Sequence, residues 1–275
     1  MARVLAATSA DESVVALGLG RGRIVARPLL EAASRPLARA LARFDAAIGR
    51  DGVAVAARAL LAERGVALRI AGDPPRGPAL VLTNHPGAWD AIALMAAIGR
   101  PRIAVIAHDR AFLRAMPSLA ACLVLGPEPT GSRLGRAAAL RRAIARLEAD
   151  DVVVHFGAGC IEPDLDFEPD APRPPWAGGT AILARAAGRA GAPVVPALVR
   201  GVHAARAKRL AAVRWAEGRG VTMLAPLAQV AAPRVLPVRA SIAFGPALAR
   251  DAAYGASAAD LARYVYDLAA RASRA

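Results

Sequence analysis

The sequence predicts an α/β fold, in which a largely parallel central sheet is flanked by helices and preceded by an N-terminal pair of helices. Short apolar runs with strand character alternate along the chain with longer segments whose apolar residues recur at helical spacing. This alternation is typical of parallel sheets, because parallel neighbours need a crossover connection that is usually a helix. We therefore expect a two-sided sheet with helices on both faces.

The strands and helices follow in a regular order. The predicted strands are 66–70, 79–83, 103–107, 151–156, 193–199 and 238–244. The predicted helices of the core begin after Trp89, near Arg133 and at Thr180, and a closing helix shows its apolar face through Leu261, Tyr264, Val265 and Leu268. The helix from Arg133 is expected to face the core through Leu140, Ile144 and Leu147. Residues 162–176 carry five prolines and five acidic residues, which predicts a long irregular loop after the fourth of these strands.

The chain is predicted to form a single α/β domain over residues 27–275, with a loosely ordered N-terminus over 1–26. Within the domain, residues 27–65 form the helical pair and residues 66–275 the catalytic core. The first helix of the pair is marked by Leu37, Leu41, Phe44 and Ile48, and the second is expected over 53–63. Such a pair either packs into the core or lies on a membrane surface.

Composition limits the partners and the compartment. The formal charge is +14, and every basic residue except Lys208 is arginine, which indicates either a generally arginine-coated surface or attraction to an anionic partner. No motif or aromatic stacking platform for nucleic acid is present, so an anionic lipid surface is favoured over nucleic acid. Two cysteines without a close pair argue against a zinc site or a disulfide framework and favour a reducing compartment. The apolar stretches are shorter than the roughly 20 residues of a membrane span, so we expect a cytoplasmic, peripheral protein.

The stretch NHPGAWD, residues 84–90, carries the most chemical information. It places His85 between an apolar strand and a helix, and the Asp90 carboxylate can fold back toward it. A histidine acting as a general base needs such a partner, and no nucleophilic serine is required if the substrate brings its own hydroxyl. The alternative is a helix-capping histidine, with Asp90 in the first helical turn where the helix dipole favours it. The spacing alone leaves both interpretations open.

This stretch resembles the His-four-residues-Asp motif of the glycerolipid acyltransferase superfamily, whose best-known members acylate lysophosphatidic acid. ALRIAGDPPRGPALVLTNH at 67–85 is similar to the strand, spacer and strand that lead into that motif. HFGAGCIEPD at 155–164 falls where the family has its third motif, GRAGAPVVPALVRGV at 188–202 resembles its fourth, and VRASIAFGPAL at 238–248 resembles its closing strand. The similarity runs in order over residues 66–270.

The resemblance implies transfer of an acyl chain from a thioester, on coenzyme A or acyl carrier protein, to a hydroxyl of a lysophospholipid or related lipid. His85 is implied as the general base, with Asp90 as its partner. The backbone amides of the glycine-rich turn 157–159 are plausible donors to a developing oxyanion, because glycine allows close approach of the backbone. No metal or redox cofactor is implied, and the work would be done on the inner face of the cell membrane. The residues expected to bind substrate are Asn84, Gly87, Arg133, Phe156, Gly157, Gly159, Glu162 and Asp164.

The third motif departs from the family pattern. Ala158 and Ile161 stand where the family has a glutamate and an arginine, so we expect lysophosphatidic acid to be a poor acceptor. Glu162 and Asp164 either replace the missing carboxylate or simply solvate the proline-rich loop, and there they would repel a phosphate. Arg133 is the nearest match to the arginine of the second motif. A different class of function remains open, a lipid-binding or regulatory protein in which catalysis has eroded.

Two features are expected to be structural. Cys160 is predicted to be a small buried residue. A basic cluster is expected to be solvated surface in preference to a phosphate site; it comprises Arg200, His203, Arg206, Lys208 and Arg209.

Overall fold

A computed structural model of the chain describes residues 1–2, 5–7, 23–87, 89–127, 131–217, 229 and 235–272. Most of the predicted loose N-terminus, residues 8–22, lies outside the described residues. Leu5, at the start of the described stretch 5–7, is fully buried, and the first long helix already begins at Arg23.

The predicted helices and strands occur in the predicted order, and further short helices and one strand that were not predicted lie between them. The strands are β1 (Val66–Ala71), β2 (Ala79–Thr83), β3 (Ile103–His108), β4 (Leu123–Gly126), β5 (Val152–Phe156), β6 (Val194–Arg200) and β7 (Val238–Phe244). The N-terminal pair is α1 (Arg23–Asp51) and α2 (Val53–Glu63). The later helices are α3 (Asp90–Ile98), α4 (Ala111–Arg114), α5 (Pro117–Ala120), α6 (Arg133–Glu148), α7 (Gly179–Arg189), α8 (Ala205–Arg209), α9 (Ala211–Glu217), α10 (Arg250–Gly255) and α11 (Ala258–Ala272).

The seven strands form one sheet in the order β1-β7-β6-β2-β5-β3-β4. All neighbours pair in parallel except β6 and β7, which are antiparallel. The prediction of an α/β fold with a largely parallel sheet and an N-terminal helical pair is therefore confirmed. Strand β4 was not predicted, because its four residues carry only two buried positions and no clear alternation marks them in the sequence.

Helices cover both faces of the sheet. Alternate residues of β2 enter two separate cores, with Val81 in one and Leu80 and Leu82 in the other. The first core packs against α1, α2 and α3, and the second against α6, α7 and α11. The N-terminal pair therefore packs into the core, which is one of the two alternatives that its pattern left open.

Helices α6 and α11 bury only some of the residues that were predicted to face the core. Helix α6 faces the core through Ala139, Ala143 and Leu147, whereas the expected Leu140 and Ile144 are only partly buried at its margin. In α11 the expected Leu261, Val265 and Leu268 are buried, but Tyr264 is exposed, so the prediction was wrong for that residue. Its spacing places it on the rim of the apolar stripe, where a tyrosine can keep its hydroxyl in water.

Candidate active site

The predicted site residues lie at one edge of the sheet, where three adjacent parallel strands end. The order β6-β2-β5 brings together the carboxyl ends of these strands. His85 follows β2, Gly157 follows β5 and His203 follows β6. The chain leaves β2 toward one side of the sheet and leaves β5 toward the other, an arrangement that opens a crevice in α/β folds. The central of the three strands, β2, leads into Asn84 and His85.

Asn84 closes the end of β2 instead of facing the crevice. Its side chain is fully buried, its Nδ2 donates to the carbonyl of Val199 at 2.8 Å, and its Oδ1 accepts from the amide of Val199 at 2.8 Å. The carboxamide thus replaces a backbone pair between β2 and β6 beyond the last ladder position. The prediction that Asn84 binds substrate stays a prediction, but both ends of its amide already have partners.

His85 and Asp90 form the pair that the sequence predicted. Nδ1 of His85 lies 2.6 Å from Oδ2 of Asp90, and the same oxygen accepts the amide of Gly87 at 3.0 Å. The other oxygen of Asp90 accepts the amide of Ala91 at 2.6 Å, at the start of α3. Asp90 is almost completely buried, whereas the imidazole is 30% exposed. His85 therefore does not cap α3, because its ring is bound to the carboxylate and Trp89 is the residue that precedes the helix.

The electrostatic balance at His85 favours the protonated ring. Burial of the imidazole lowers its pKa, but the charge of Asp90, the hydrogen bond to it and the charge of Glu162 together outweigh burial, so that the pKa of His85 is raised above 6.5. Because Nδ1 is held by the carboxylate, Nε2 is the nitrogen left for a substrate proton. This is the arrangement of a general base with an orienting carboxylate.

Phe156, at the end of β5, lies against the ring of His85. The two ring centroids are 4.4 Å apart with the planes tilted by 31°. The register sets this contact, since Phe156 is paired with Thr83, two residues before the histidine. Phe156 therefore forms one apolar wall beside the imidazole.

The two glycines after Phe156 have structural roles. The amide of Gly157 donates to the carbonyl of Thr83 at 3.0 Å, and a Cβ at this position would lie only 2.1 Å from the indole of Trp176. The amide of Gly159 donates to the carbonyl of Phe156 at 3.1 Å, and its φ of +67° favours glycine. Of the three amides in the turn 157–159 that were expected to serve an oxyanion, those of Gly157 and Gly159 already have carbonyl acceptors. Among the described residues, the amide of Ala158 between them has no acceptor.

Glu162 and Asp164 are buried, so the interpretation that they only solvate the loop is wrong. Glu162 Oε2 accepts the amide of His85 at 2.8 Å, and Oε1 accepts from Trp176 Nε1 at 3.1 Å and from the hydroxyl of Tyr266. Asp164 accepts the amides of Gly201 and Val202 at 2.8 and 2.9 Å. The loop at 162–176 has no regular element, as predicted, but these two carboxylates fasten it to the ends of β2 and β6.

The remaining predicted residues lie at the surface. Arg133 is exposed at the start of α6, the helix that follows the edge strand β4. Three strand spacings of about 4.8 Å separate β4 from β2. Ile161 is 47% exposed. Cys160 is exposed too, which contradicts its prediction as a buried residue.

The basic cluster divides into two parts. Arg200 pairs with Asp166 at 3.6 Å and Lys208 with Glu168 at 2.9 Å, so these cations bind acidic residues of the loop. Arg206 and Arg209 are exposed, as expected for solvated surface.

His203 belongs to the site in a way that the sequence did not indicate. Its Nε2 donates to the carbonyl of Pro86 at 2.9 Å, and its ring lies where a Cβ on Gly87 would approach Cε1 to 3.1 Å. Burial and the charge of Lys208 lower the pKa of His203, which favours the neutral ring. The imidazole thus supports the turn that carries His85 from the β6 side. Only its place three residues after the end of β6 could have marked it in the sequence.

The described part of the chain contains no cluster of three or more His, Cys, Asp or Glu side chains that could hold a metal ion. Within the same residues, no helix is long and apolar enough to cross a membrane.

No protein-family model matches the chain, and no curated protein matches it. Among solved structures, it is similar to the crystal structure of the 1-acyl-sn-glycerophosphate (LPA) acyltransferase PlsC from Thermotoga maritima. The TM-score is 0.45 at 15% sequence identity, over 84% of this chain and 94% of that chain.

Proposed function

We propose that the chain is an O-acyltransferase that moves an acyl group from a thioester to a hydroxyl of a lipid acceptor. The observation that carries the proposal is the contact of 2.6 Å between His85 Nδ1 and the buried Asp90 carboxylate, at the carboxyl ends of adjacent parallel strands. The motifs in which the chain resembles the glycerolipid acyltransferases point to the same chemistry.

The reaction needs one base and no protein nucleophile. Nε2 of His85 takes the proton of the acceptor hydroxyl, and the oxygen attacks the thioester carbonyl carbon, which forms the new C–O bond. The tetrahedral intermediate then collapses, the C–S bond breaks, and the imidazolium returns the proton to the departing thiolate. Asp90 stabilises the imidazolium between these two steps, and a base and acid of this kind contributes about 10² to 10⁴ in rate.

The Ala158 amide is the proposed donor to the oxyanion of the intermediate. It lies in the turn after β5, beside the wall that Phe156 forms against His85. Its neighbours Gly157 and Gly159 hold the turn in place through their own hydrogen bonds. A backbone donor fixed in this way stabilises developing charge without reorganising.

The acceptor is proposed to be a lysophospholipid or related lipid with a free hydroxyl, and the donor a thioester of coenzyme A or acyl carrier protein. We expect lysophosphatidic acid to be a poor acceptor, because an exposed Ile161 stands where the family has an arginine. Glu162 and Asp164 are buried and accept hydrogen bonds from amides, and the negative charge of Glu162 beside His85 would repel a phosphate placed there.

The chain is proposed to reach its acceptor from an anionic membrane surface, on the cytoplasmic side. Helices α8 and α9 follow directly after His203 and carry exposed Arg206, Arg209 and Arg214. On the same stretch Leu210 is 44% exposed and Trp215 is 63% exposed. Cations beside an exposed indole are suited to anionic lipid headgroups, each basic residue near the surface adding about 1 kcal/mol.

Release of free thiol from acyl-coenzyme A and from acyl carrier protein thioesters, measured with and without a panel of lysolipid acceptors, tests the activity. We expect thiol release that depends on the acceptor and an acylated lipid product in equal amount. Absence of thiol release with every donor and acceptor would favour the alternative of a lipid-binding protein without catalysis.

Co-sedimentation with vesicles tests the surface. Trp215→Ala and Arg214→Gln are expected to weaken binding to vesicles rich in anionic lipid, whereas Leu134→Ala, at a leucine 83% exposed on α6, serves as the matched control. Binding should also weaken as salt rises, because the screening length falls from about 10 Å at 0.1 M to about 3 Å at 1 M. Equal binding by all three variants would refute this surface.

A further inference from the structure

The carboxylate of Glu162 is buried and gathers donors from three separate parts of the chain. Oε2 accepts the backbone amide of His85, while Oε1 accepts from Trp176 in the proline-rich loop and from Tyr266 on α11. In the reverse direction, the amide of Glu162 donates to the carbonyl of His85 at 2.8 Å. Both backbone polar groups of His85 are thus held by one residue.

These contacts lie beyond the last paired residue of β2. The ladder between β2 and β5 ends at Thr83, two residues before His85, and the pairing with β6 ends at the same residue. The two hydrogen bonds to Glu162 continue the support past that end. The imidazole is then fixed twice, through its ring by Asp90 and through its backbone by Glu162.

The partners of Glu162 favour a charged carboxylate. An indole N–H and a backbone N–H can only donate, so each oxygen has at least one partner that requires a lone pair. The pKa of Glu162 is raised above its ordinary value, because the effect of burial outweighs the hydrogen bonds from Tyr266, Trp176 and His85, which act in the opposite direction. The negative charge beside His85 favours the imidazolium that the ring becomes when it takes a proton.

We propose that Glu162 is a positioning residue for His85, which holds the backbone of the base through hydrogen bonds at both its N–H and its C=O and is itself fixed by Trp176 and Tyr266. The inference rests on the proposed function in so far as His85 is the base. It assigns Glu162 a role other than contact with the acceptor. It also ties the closing helix α11 to the candidate catalytic turn.

The test compares three variants by ¹H–¹⁵N NMR titration of the histidine rings and by kinetics. Glu162→Gln removes the charge at constant size. Tyr266→Phe removes one donor but keeps the ring over which Arg173 lies at 4.3 Å from the centroid. Asp164→Asn is the matched control, because it is a buried carboxylate of the same loop that binds amides of Gly201 and Val202 instead of His85. The chain has four histidines, so His85→Ala assigns the ring signal.

We expect Glu162→Gln to lower the pKa of His85, because a negative charge beside the ring is lost. Asp90 remains as the carboxylate partner of the ring, and Arg173 and Cys160, the other titratable groups near Glu162 and Tyr266, are unchanged. Tyr266→Phe should lower it in the same direction but less, since Glu162 then holds its charge less well. Asp164→Asn should leave the pKa of His85 where it is. In the enzyme assay, Glu162→Gln should lower kcat about 10²-fold with little change in KM, as a misplacement of about 1 Å does.

A folded Glu162→Gln with an unchanged His85 pKa and an unchanged kcat would overturn the proposal. If that variant does not fold, Tyr266→Phe decides, and an unshifted His85 signal in it overturns the proposal equally. The titration needs no substrate. A shifted pKa together with no thiol release in the unmodified protein would therefore support the role of Glu162 and refute the proposed function.

Discussion

The carboxylate of Asp90 and the imidazole of His85 are joined at 2.6 Å with unequal exposure to solvent, the carboxylate being buried and the ring 30% exposed. Asp90 cannot reach a substrate in this position, since its oxygens are occupied by His85, Gly87 and Ala91. In the described part of the chain, Nε2 of the imidazole has no hydrogen-bond partner. The roles of base and partner follow from this difference.

Replacing His85 by alanine should abolish acyl transfer while the fold is kept. The ring is 30% exposed, and the buried Asp90 carboxylate keeps the amides of Gly87 and Ala91 as donors when the ring is removed. We expect thiol release to fall by about 10² to 10⁴, the usual contribution of a general base. His108→Ala is the matched control, because that histidine ends β3 at the same edge of the sheet without contacting Asp90. Acyl transfer near the original rate in a folded His85→Ala would rule out the base.

Asp90→Asn should reduce activity less than His85→Ala, because the base is still present. The variant should also be less stable by about 1 to 3 kcal/mol, since an amide nitrogen in place of Oδ2 would face the N–H of Gly87. The pKa of His85 should fall with the loss of the negative charge. Chemical denaturation and NMR titration measure the two effects, and an unchanged His85 pKa would contradict the pairing.

The pH dependence of acyl transfer should show an ascending limb with its midpoint above 6.5. The base must be neutral to take a proton, and the pKa of His85 is raised by Asp90 and Glu162 against the effect of burial. The same shift means that His85 stabilises the fold most below pH 6.5, and that this contribution is lost as the pH rises through the raised pKa. A kcat/KM profile from pH 5 to 9 checks the limb, and a midpoint below 6.5 would be inconsistent with the electrostatics described.

His155 should make the fold sensitive to acid. Burial lowers its pKa to about 4, its Nε2 lies 3.0 Å from the hydroxyl of Thr180, and its Nδ1 has no partner to accept a second proton. Above pH 6.5 the histidine is neutral in both the folded and the unfolded protein, and it does not change the stability. As the pH falls from 6.5 toward 4, the unfolded protein binds the proton first, and up to roughly 3 kcal/mol of unfolding free energy is lost. The loss of unfolding free energy between pH 7 and pH 4.5 should be smaller in His155→Leu than in the original protein. An equal loss in both would exclude His155 as the cause.

Gly157→Ala should destabilise the turn after β5. The new Cβ would lie 2.1 Å from the indole of Trp176, which is held by Glu162 and cannot move freely. We expect a loss of about 1 to 3 kcal/mol, as for other overpacked sites. Gly178→Ala is the control, since a Cβ there meets nothing within 4 Å at an ordinary negative φ. Thermal unfolding measures both, and a smaller loss for Gly157→Ala than for the control would show that the indole yields.

The sequence determined the elements and the candidate pair. Apolar runs predicted every described strand except β4, because a buried parallel strand must be apolar on both faces. Helical spacing predicted the main crossover helices, because such a helix must be apolar on one face. The strand, the Pro-Gly turn and the helix of residues 84–90 also predicted that His85 and Asp90 would meet, since contacts over five residues depend mainly on local geometry.

Only the tertiary structure decided the roles of residues that are distant in sequence. Glu162 reaches His85 over 77 residues and Tyr266 over 104, and His203 reaches Pro86 over 117, so no local pattern marks these contacts. The sequence could not tell whether Glu162 and Asp164 were in water, because an acidic, proline-rich loop has the same composition whether it is solvated or fastened down. Their burial depends on the backbone amides left unpaired where β2 and β6 end, and those amides are brought within reach of the loop only when the strands stand side by side.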